Sequence, residues 1–192
     1  MSMGHQESSS RVPNIVIIDD DITSVLVLEA AVQELGKVTY TTNPAEALNL
    51  IETLQPDVVL MDIEMGDYNG VELCKQLKNN PQTAKAAVIF VTAHDNPDLE
   101  YFSLDSGGID FITKPINRKI CKLRVANQLA LRKYSEELES AKEALFSEKE
   151  HFKATLNSIG DGVIATDAKG IVTFLNPIAQ HMVGMTEAEA VG

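Results

Sequence analysis

Three consecutive aspartates, Asp19, Asp20 and Asp21, close the aliphatic run Ile15-Val16-Ile17-Ile18. Carboxylates at such a spot can attack phosphorus, cradle a divalent cation or cap a helix. Read as Asp19-x-Asp21-x-Thr23, the segment has the spacing of an aspartyl nucleophile followed by a general acid/base. Read as the pair Asp19-Asp20, it is part of a magnesium cradle that needs a third carboxylate from elsewhere. A local reading also exists, because an acidic residue after a strand often caps the next helix. The choice depends on what else the fold brings to the same edge.

The elements that must position these residues follow from hydrophobic periodicity. Apolar runs at 14–19, 37–41, 57–62, 86–92 and 109–113 read as buried strands, and 23–35, 44–54, 70–79 and 96–106 as amphipathic helices. Val25, Leu28, Val32 and Leu35 share one helical face, as do Ala47, Leu50, Ile51 and Leu54. Short apolar strands alternating with helices predict an α/β fold, a doubly wound parallel sheet covered on both faces. In such sheets ligands bind beyond the carboxyl ends of the strands. Asp19, Asp62 and Thr92 each end a predicted strand, and Lys114 follows the fifth by one residue.

This convergence separates the readings. Asp62 joins Asp19 and Asp20 at one sheet edge, where three carboxylates repel one another unless a cation intervenes. Mg²⁺ suits such an oxygen set and would also neutralise a phosphoryl group arriving on Asp62. Thr92 can donate a hydroxyl hydrogen bond, and Lys114 a point charge, to the resulting acyl phosphate. The competing pattern resembles haloacid-dehalogenase-type phosphatases, with Asp19 as nucleophile and Asp21 as acid/base. Thr92 and Lys114 could serve its middle roles. That pattern needs a closing acidic pair after a further apolar strand, and a long charged segment stands there instead.

The region 14–130 resembles the receiver domain of two-component response regulators. The resemblance rests on Asp19-Asp20, "DIEMGDYNG" around Asp62, "VTA" at Thr92 and "DFITKP" ending in Lys114-Pro115, at intervals of 30 and 22 residues between Asp62, Thr92 and Lys114. It implies a flavodoxin-like, five-stranded parallel sheet of order 2-1-3-4-5. It also implies that Asp62 accepts a phosphoryl group from a sensor histidine kinase or phosphotransfer protein. Asp20, Asp62 and the backbone carbonyl of Glu64 would bind Mg²⁺ directly, and Asp19 mostly through water. Thr92 and Phe111 would form the switch pair, and the Lys114–Pro115 peptide would be cis. Glu64 and His94 stand where related domains tune the lifetime of the phosphate. Gly66 departs from the family pattern, which usually has proline there, and suggests a more mobile loop.

After Pro115 the character changes. Residues 117 to about 156 lack proline and glycine, and Leu131, Leu138, Leu145, Phe152 and Ile159 recur every seven residues. Tyr134 and Ala141 add a second line, which Glu148 and Thr155 interrupt. This is a long C-terminal helix whose stripe seeks a partner helix, and it predicts a homodimer through 117–156. A solvated helix folding back on the domain is the alternative. The last segment has two strand-like runs, "GVIATD" and "IVTFLN", and a short helix, "PIAQHMVG". It is similar to the opening of a PAS domain, too short to bury a core of its own. The expected division is a disordered lead-in or cloning remnant at 1–13, a receiver at 14–130, a coiled-coil signalling helix at 131–152 and a truncated α+β PAS start at 153–192.

Composition bounds these readings. A formal net charge of −12 argues against nucleic acid as a partner of these residues. No run approaches the length of a membrane span, and Cys74 and Cys121 lack metal-site spacing. A cytoplasmic address is therefore expected. The sequence predicts a phosphorylation-controlled module without turnover of its own, feeding an output of cyclic-di-GMP or histidine-kinase type by analogy of architecture. The alternatives are a Mg²⁺-dependent phosphatase using Asp19 and a scaffold whose receiver no longer signals.

Overall fold

The computed structural model describes residues 11–93 and 106–191. The expected helix over 96–106 lies almost wholly outside them, as does His94. Five parallel strands form one sheet: β1 (Asn14–Ile18), β2 (Lys37–Thr41), β3 (Val58–Asp62), β6 (Ala87–Thr92) and β7 (Asp110–Thr113). Their order is β2-β1-β3-β6-β7, so counting these strands alone the order is the expected 2-1-3-4-5. A pair of two-residue strands, β4 (Glu64–Met65) and β5 (Tyr68–Asn69), closes an antiparallel turn just after β3.

Period-two alternation splits the strands between two cores. Val16, Ile18, Val59, Met61, Val88 and Phe90 face α2 (Ala47–Leu54) and α3 (Gly70–Asn79). Ile15, Ile17, Val58, Leu60, Ile89 and Val91 face α1 (Ile22–Val32) and the root of α4 (Arg118–Ser158). Both faces of each central strand are buried, which is why these strands read as continuous apolar runs. The first helix is shorter than its periodicity predicts. It stops at Val32, and Leu35 sits in the following turn, with its N–H donated to the Val32 carbonyl at 2.8 Å. Leu35 nevertheless packs on the same core as α1, so its apolar spacing reports burial and not helix. The second helical stretch begins with a 3-10 turn at Pro44–Glu46 before α2 starts.

The chain divides into two compact units, one ending at Tyr134 and the other beginning at Ser135. In the first unit α4 is held by buried Cys121 and Val125. In the second unit, β8 (Ile164–Thr166) and β9 (Val172–Leu175) form a hairpin, followed by α5 (Pro177–Val183) and α6 (Glu187–Ala190). Asn176 is its organising residue. Its Oδ1 accepts from the N–H groups of Val163 and Ala179 at 2.9 and 2.8 Å, and its Nδ2 donates to the carbonyls of Leu156 and Asp161 at 3.2 and 2.8 Å. Among the described residues of this unit only Leu175, Asn176 and Ala179 are buried, in keeping with the small core expected of two strands and a short helix. No helix among the described residues is long and apolar enough to cross a membrane.

Candidate functional site

The site begins with β1. The strand delivers Asp19 to the sheet edge, and the chain then turns into α1. Here the three aspartates part company. Asp21 caps α1, accepting the N–H groups of Thr23 and Ser24 at 2.9 and 3.3 Å, and the Thr23 bond holds its carboxyl below the ordinary range. The local reading is therefore correct for this one residue. Asp21 is engaged as a helix cap and is not aimed as the acid/base partner that the phosphatase pattern requires. Its own N–H donates to Asp19 Oδ1 at 2.9 Å, which fixes the Asp19 carboxylate.

Asp19, Asp20 and Asp62 converge, with one carboxylate oxygen from each lying within 4.8 Å of the others. The β1–β3 register, Ile18 opposite Met61, brings Asp19 and Asp62 to the same edge. Asp19 and Asp62 are buried, whereas Asp20 is exposed. Lys114, just beyond β7, reaches across. Its Nζ donates to Asp62 Oδ2 at 2.7 Å and stands 3.0 Å from Asp19 Oδ2. The second contact is an ion pair without hydrogen-bond alignment, so Asp19 Oδ2 is buried with no hydrogen bond. Burial pushes the Asp19 carboxyl up, and the charge of Asp62 adds to this while Lys114 and the Asp21 N–H oppose it. Burial alone would lower the Lys114 amine, but the hydrogen bond to Asp62 and the negative charges of Asp62 and Asp19 outweigh it and hold the amine above its ordinary value.

Thr92 ends β6 and is buried. Its backbone carbonyl accepts the Lys114 N–H at 2.7 Å, and β6 pairs Thr92 with Thr113. The sheet thus holds Thr92 at the same edge as Lys114. The Lys114–Pro115 peptide is cis. Phe111 is half-buried against the α2/α3 core, and the Arg124 guanidinium carbon lies 5.4 Å from its ring centroid. Arg124 also pairs with Asp110. Nothing in the spacing of Arg124 marks it out, since a basic residue on a helix is ordinary. Glu64 is exposed and sits in the short strand directly after the site.

The geometry accommodates a hard divalent cation. Ligand oxygens on opposite sides of a Mg²⁺ ion are roughly 4 Å apart. The three carboxylates would therefore close on one with small rotations or with one of them acting through water. Asp19 Oδ2, buried without a hydrogen bond, is the acceptor such an arrangement would use, and the cluster's repulsion is otherwise relieved only by Lys114 among the interactions described above.

Two glycines shape the edge. Gly66 has φ +58°, a value closed to proline, whose ring fixes φ near −65°. The departure from the family's usual proline thus reflects a left-handed turn between β4 and β5. Gly70 opens α3 against the backbone of Asp62. A Cβ there would collide with the Asp62 carbonyl oxygen and lie 3.1 Å from Ile63 Cα. In the sequence Gly70 ends the motif around Asp62 and opens a helix-like segment, and its close backbone approach leaves no local signature. Gly70→Ala should lower stability by about 2–3 kcal/mol through overpacking and slow any chemistry at Asp62. Chemical denaturation, run beside a Gly36→Ala control at the far end of the sheet, checks this, since the control should lose stability without the same defect in Asp62 chemistry.

Comparison with known proteins adds identity to this geometry. The family model of the response regulator receiver domain matches residues 15–126, and that of the PAS fold matches residues 150–192. Over 149 residues the chain is 29% identical to the cyclic di-GMP phosphodiesterase response regulator RpfG of Xanthomonas campestris, covering 76% of this chain and 39% of RpfG. It is 33% identical over 106 residues to the protein PilH of Pseudomonas aeruginosa, covering 55% of this chain and 88% of PilH. The chain thus spans well under half the length of the curated relatives that it matches across most of its own residues. The BeF3-activated DrrB receiver domain superposes with a TM-score of 0.58 at 27% identity, covering 62% of this chain and 99% of that one.

Proposed function

Because the chain belongs to the response regulator receiver family, acting in a phosphorelay, we propose that its acidic edge is a phosphoacceptor site with Asp62 as the acceptor. The observation that carries this is Lys114 bridging two of three clustered carboxylates, 2.7 Å from Asp62 and 3.0 Å from Asp19. An Asp62 carboxylate oxygen forms a bond to phosphorus as the P–N bond of a phosphohistidine breaks, and the bonding electron pair returns to the imidazole ring. The donor is a sensor histidine kinase or a phosphotransfer protein. Asp20, Asp62 and the Glu64 carbonyl, with Asp19 acting through water, would hold Mg²⁺, which would supply neutralisation of the phosphoryl charge. Lys114 moves its hydrogen bond from carboxylate to phosphoryl oxygen, and the Thr92 hydroxyl turns to donate beside it. Phe111 follows Thr92 inward. Glu64 and His94 tune how quickly water reaches the acyl phosphate. The module has no substrate turnover beyond its own phosphorylation and dephosphorylation.

The signal then passes along α4. Leu131, Tyr134, Leu138, Leu145 and Phe152 are 61 to 71% exposed along this helix, and a second copy of the chain is the partner whose own stripe would cover them. The output is cyclic-di-GMP turnover or histidine-kinase activity in the cytoplasm, the former supported by the likeness to RpfG. Single cysteines placed along 131–152 should cross-link between chains with a pattern that changes several-fold when Asp62 is phosphorylated. A pattern indifferent to acetyl phosphate and Mg²⁺ would leave α4 without a transmitting role.

A further inference from the structure

At the end of β3 opposite Asp62 stands a second buried carboxylate. Asp57, 4% exposed, immediately precedes the five-residue strand β3, and the acceptor ends that strand. Its Oδ2 accepts the Asn14 N–H at 2.7 Å, and its Oδ1 accepts from Arg11 Nη2 at 2.5 Å. Arg132 of α4 brings its Nε to the same Oδ1 at 3.0 Å. The Arg132 fork also points Nη1 at backbone carbonyls of the strand entries, at 3.2 Å from Lys85 and 3.4 Å from Pro56. A buried carboxylate without such partners would be costly, and a planar guanidinium can serve the acid and the carbonyls together.

The position of Arg132 on its helix gives the clamp its meaning. Cys121 and Val125 are buried and Leu129 packs on the core. From Lys133 through Phe152 every residue is exposed, and the compact unit ends at Tyr134. Arg132 is thus the last half-buried residue of α4 before the exposed stretch. We propose that Asp57 and Arg132 form the root of the signalling helix, a positioning pair that fixes where α4 leaves the sheet and makes β3 a rigid link from Asp62 to that root. The transmission half of this inference rests on the function proposed above; the anchoring half does not. Without the clamp the helix would fray back toward Leu129, and displacement at the acceptor end would dissipate before reaching Leu138.

The test uses the full chain carrying Arg132→Gln. Asp57 keeps Arg11 and the Asn14 N–H, so the carboxylate is not orphaned and the sheet should fold. Hydrogen exchange read by mass spectrometry should quicken about tenfold across 126–134, the scale of a lost charge-assisted contact, while β3 stays as protected as in the parent. Unchanged exchange over this segment, or loss of protection throughout the sheet, overturns the anchor. The second readout is cross-linking through Leu138→Cys. The native thiols are buried, with Cys121 pushed up to about 11 by that burial, so the introduced cysteine reacts first. With acetyl phosphate and Mg²⁺, Arg132→Gln should take up phosphate on Asp62 as the parent does but lose the parent's phosphate-dependent change in cross-linking. Arg132→Lys, which keeps charge but not the fork, should recover only part of it. Full phosphate dependence in Arg132→Gln overturns the transmitting role of the clamp. A parent with no phosphate dependence overturns transmission through α4 altogether, and the exchange result then stands for the anchor alone.

Discussion

Lys114→Ala should destabilise the metal-free protein by about 3 kcal/mol, the low end for breaking a buried ion pair, which lowers the melting temperature on the order of 10 °C. The residue stands between Asp62 at 2.7 Å and Asp19 at 3.0 Å. Its removal leaves two buried carboxylates and exposed Asp20 facing one another without the ammonium that pairs with them. Added Mg²⁺ should recover more stability in the variant than in the parent, because a ligand bound only by the folded state stabilises in proportion to its occupancy and affinity. The pH dependence follows from the shifts. The Lys114 amine is raised above its ordinary 10.5, so its contribution is complete below that value and is lost only as pH rises through the raised one. Asp19 is raised above its ordinary 3.8, so its ionised form is a burden that sets in as pH rises above that value. The deficit of Lys114→Ala should therefore be full at pH 7 and shrink as pH falls toward 4. Thermal melts with and without Mg²⁺ across that range check both signs. A deficit independent of pH and metal would mean that Lys114 supports the fold by packing alone.

Asp20→Asn should have the opposite profile. Asp20 is exposed and makes neither of the Lys114 contacts, so removing its charge should leave the metal-free melt unchanged or slightly higher. Its proposed work is to hold the cation. Loss of one anionic oxygen from a hard-ion site should cut the rate of Asp62 phosphorylation by acetyl phosphate about 100- to 1,000-fold at fixed Mg²⁺, a few kcal/mol of transition-state stabilisation. Raising Mg²⁺ should restore part of it. Phosphorylation rates titrated against Mg²⁺ distinguish this outcome from a role in fold, which extra metal would not repair. Together the two variants separate the charge that organises the resting site from the charge that recruits the cation.

The features legible in the sequence are those tied to a strand end. Asp62 and Thr92 close apolar runs, and a parallel sheet aligns such ends whatever lies between, so their meeting with Asp19 at one edge was readable before any coordinate. The sheet order was readable through the receiver resemblance. What stayed illegible depends on distances that no local pattern encodes. Asp21 reads as an acid/base or as a cap until the turn into α1 shows it capping the helix. Gly70 looks like a helix start until its contact with the Asp62 carbonyl is seen. Leu35 mimics helical spacing from inside a turn. Arg132 and Asp57 stand 75 residues apart in the chain, and no local pattern joins them. Gly66 departs from the family's usual proline for a conformational reason, a positive φ that proline cannot adopt.

The most direct measurement is to treat the chain with acetyl phosphate and Mg²⁺, reduce the acyl phosphate with borohydride and map the modified residue by mass spectrometry. The account predicts modification at Asp62, absent when Mg²⁺ is chelated and absent in Asp62→Asn. Modification at Asp19, surviving in Asp62→Asn, would contradict it and return the three aspartates to phosphatase chemistry.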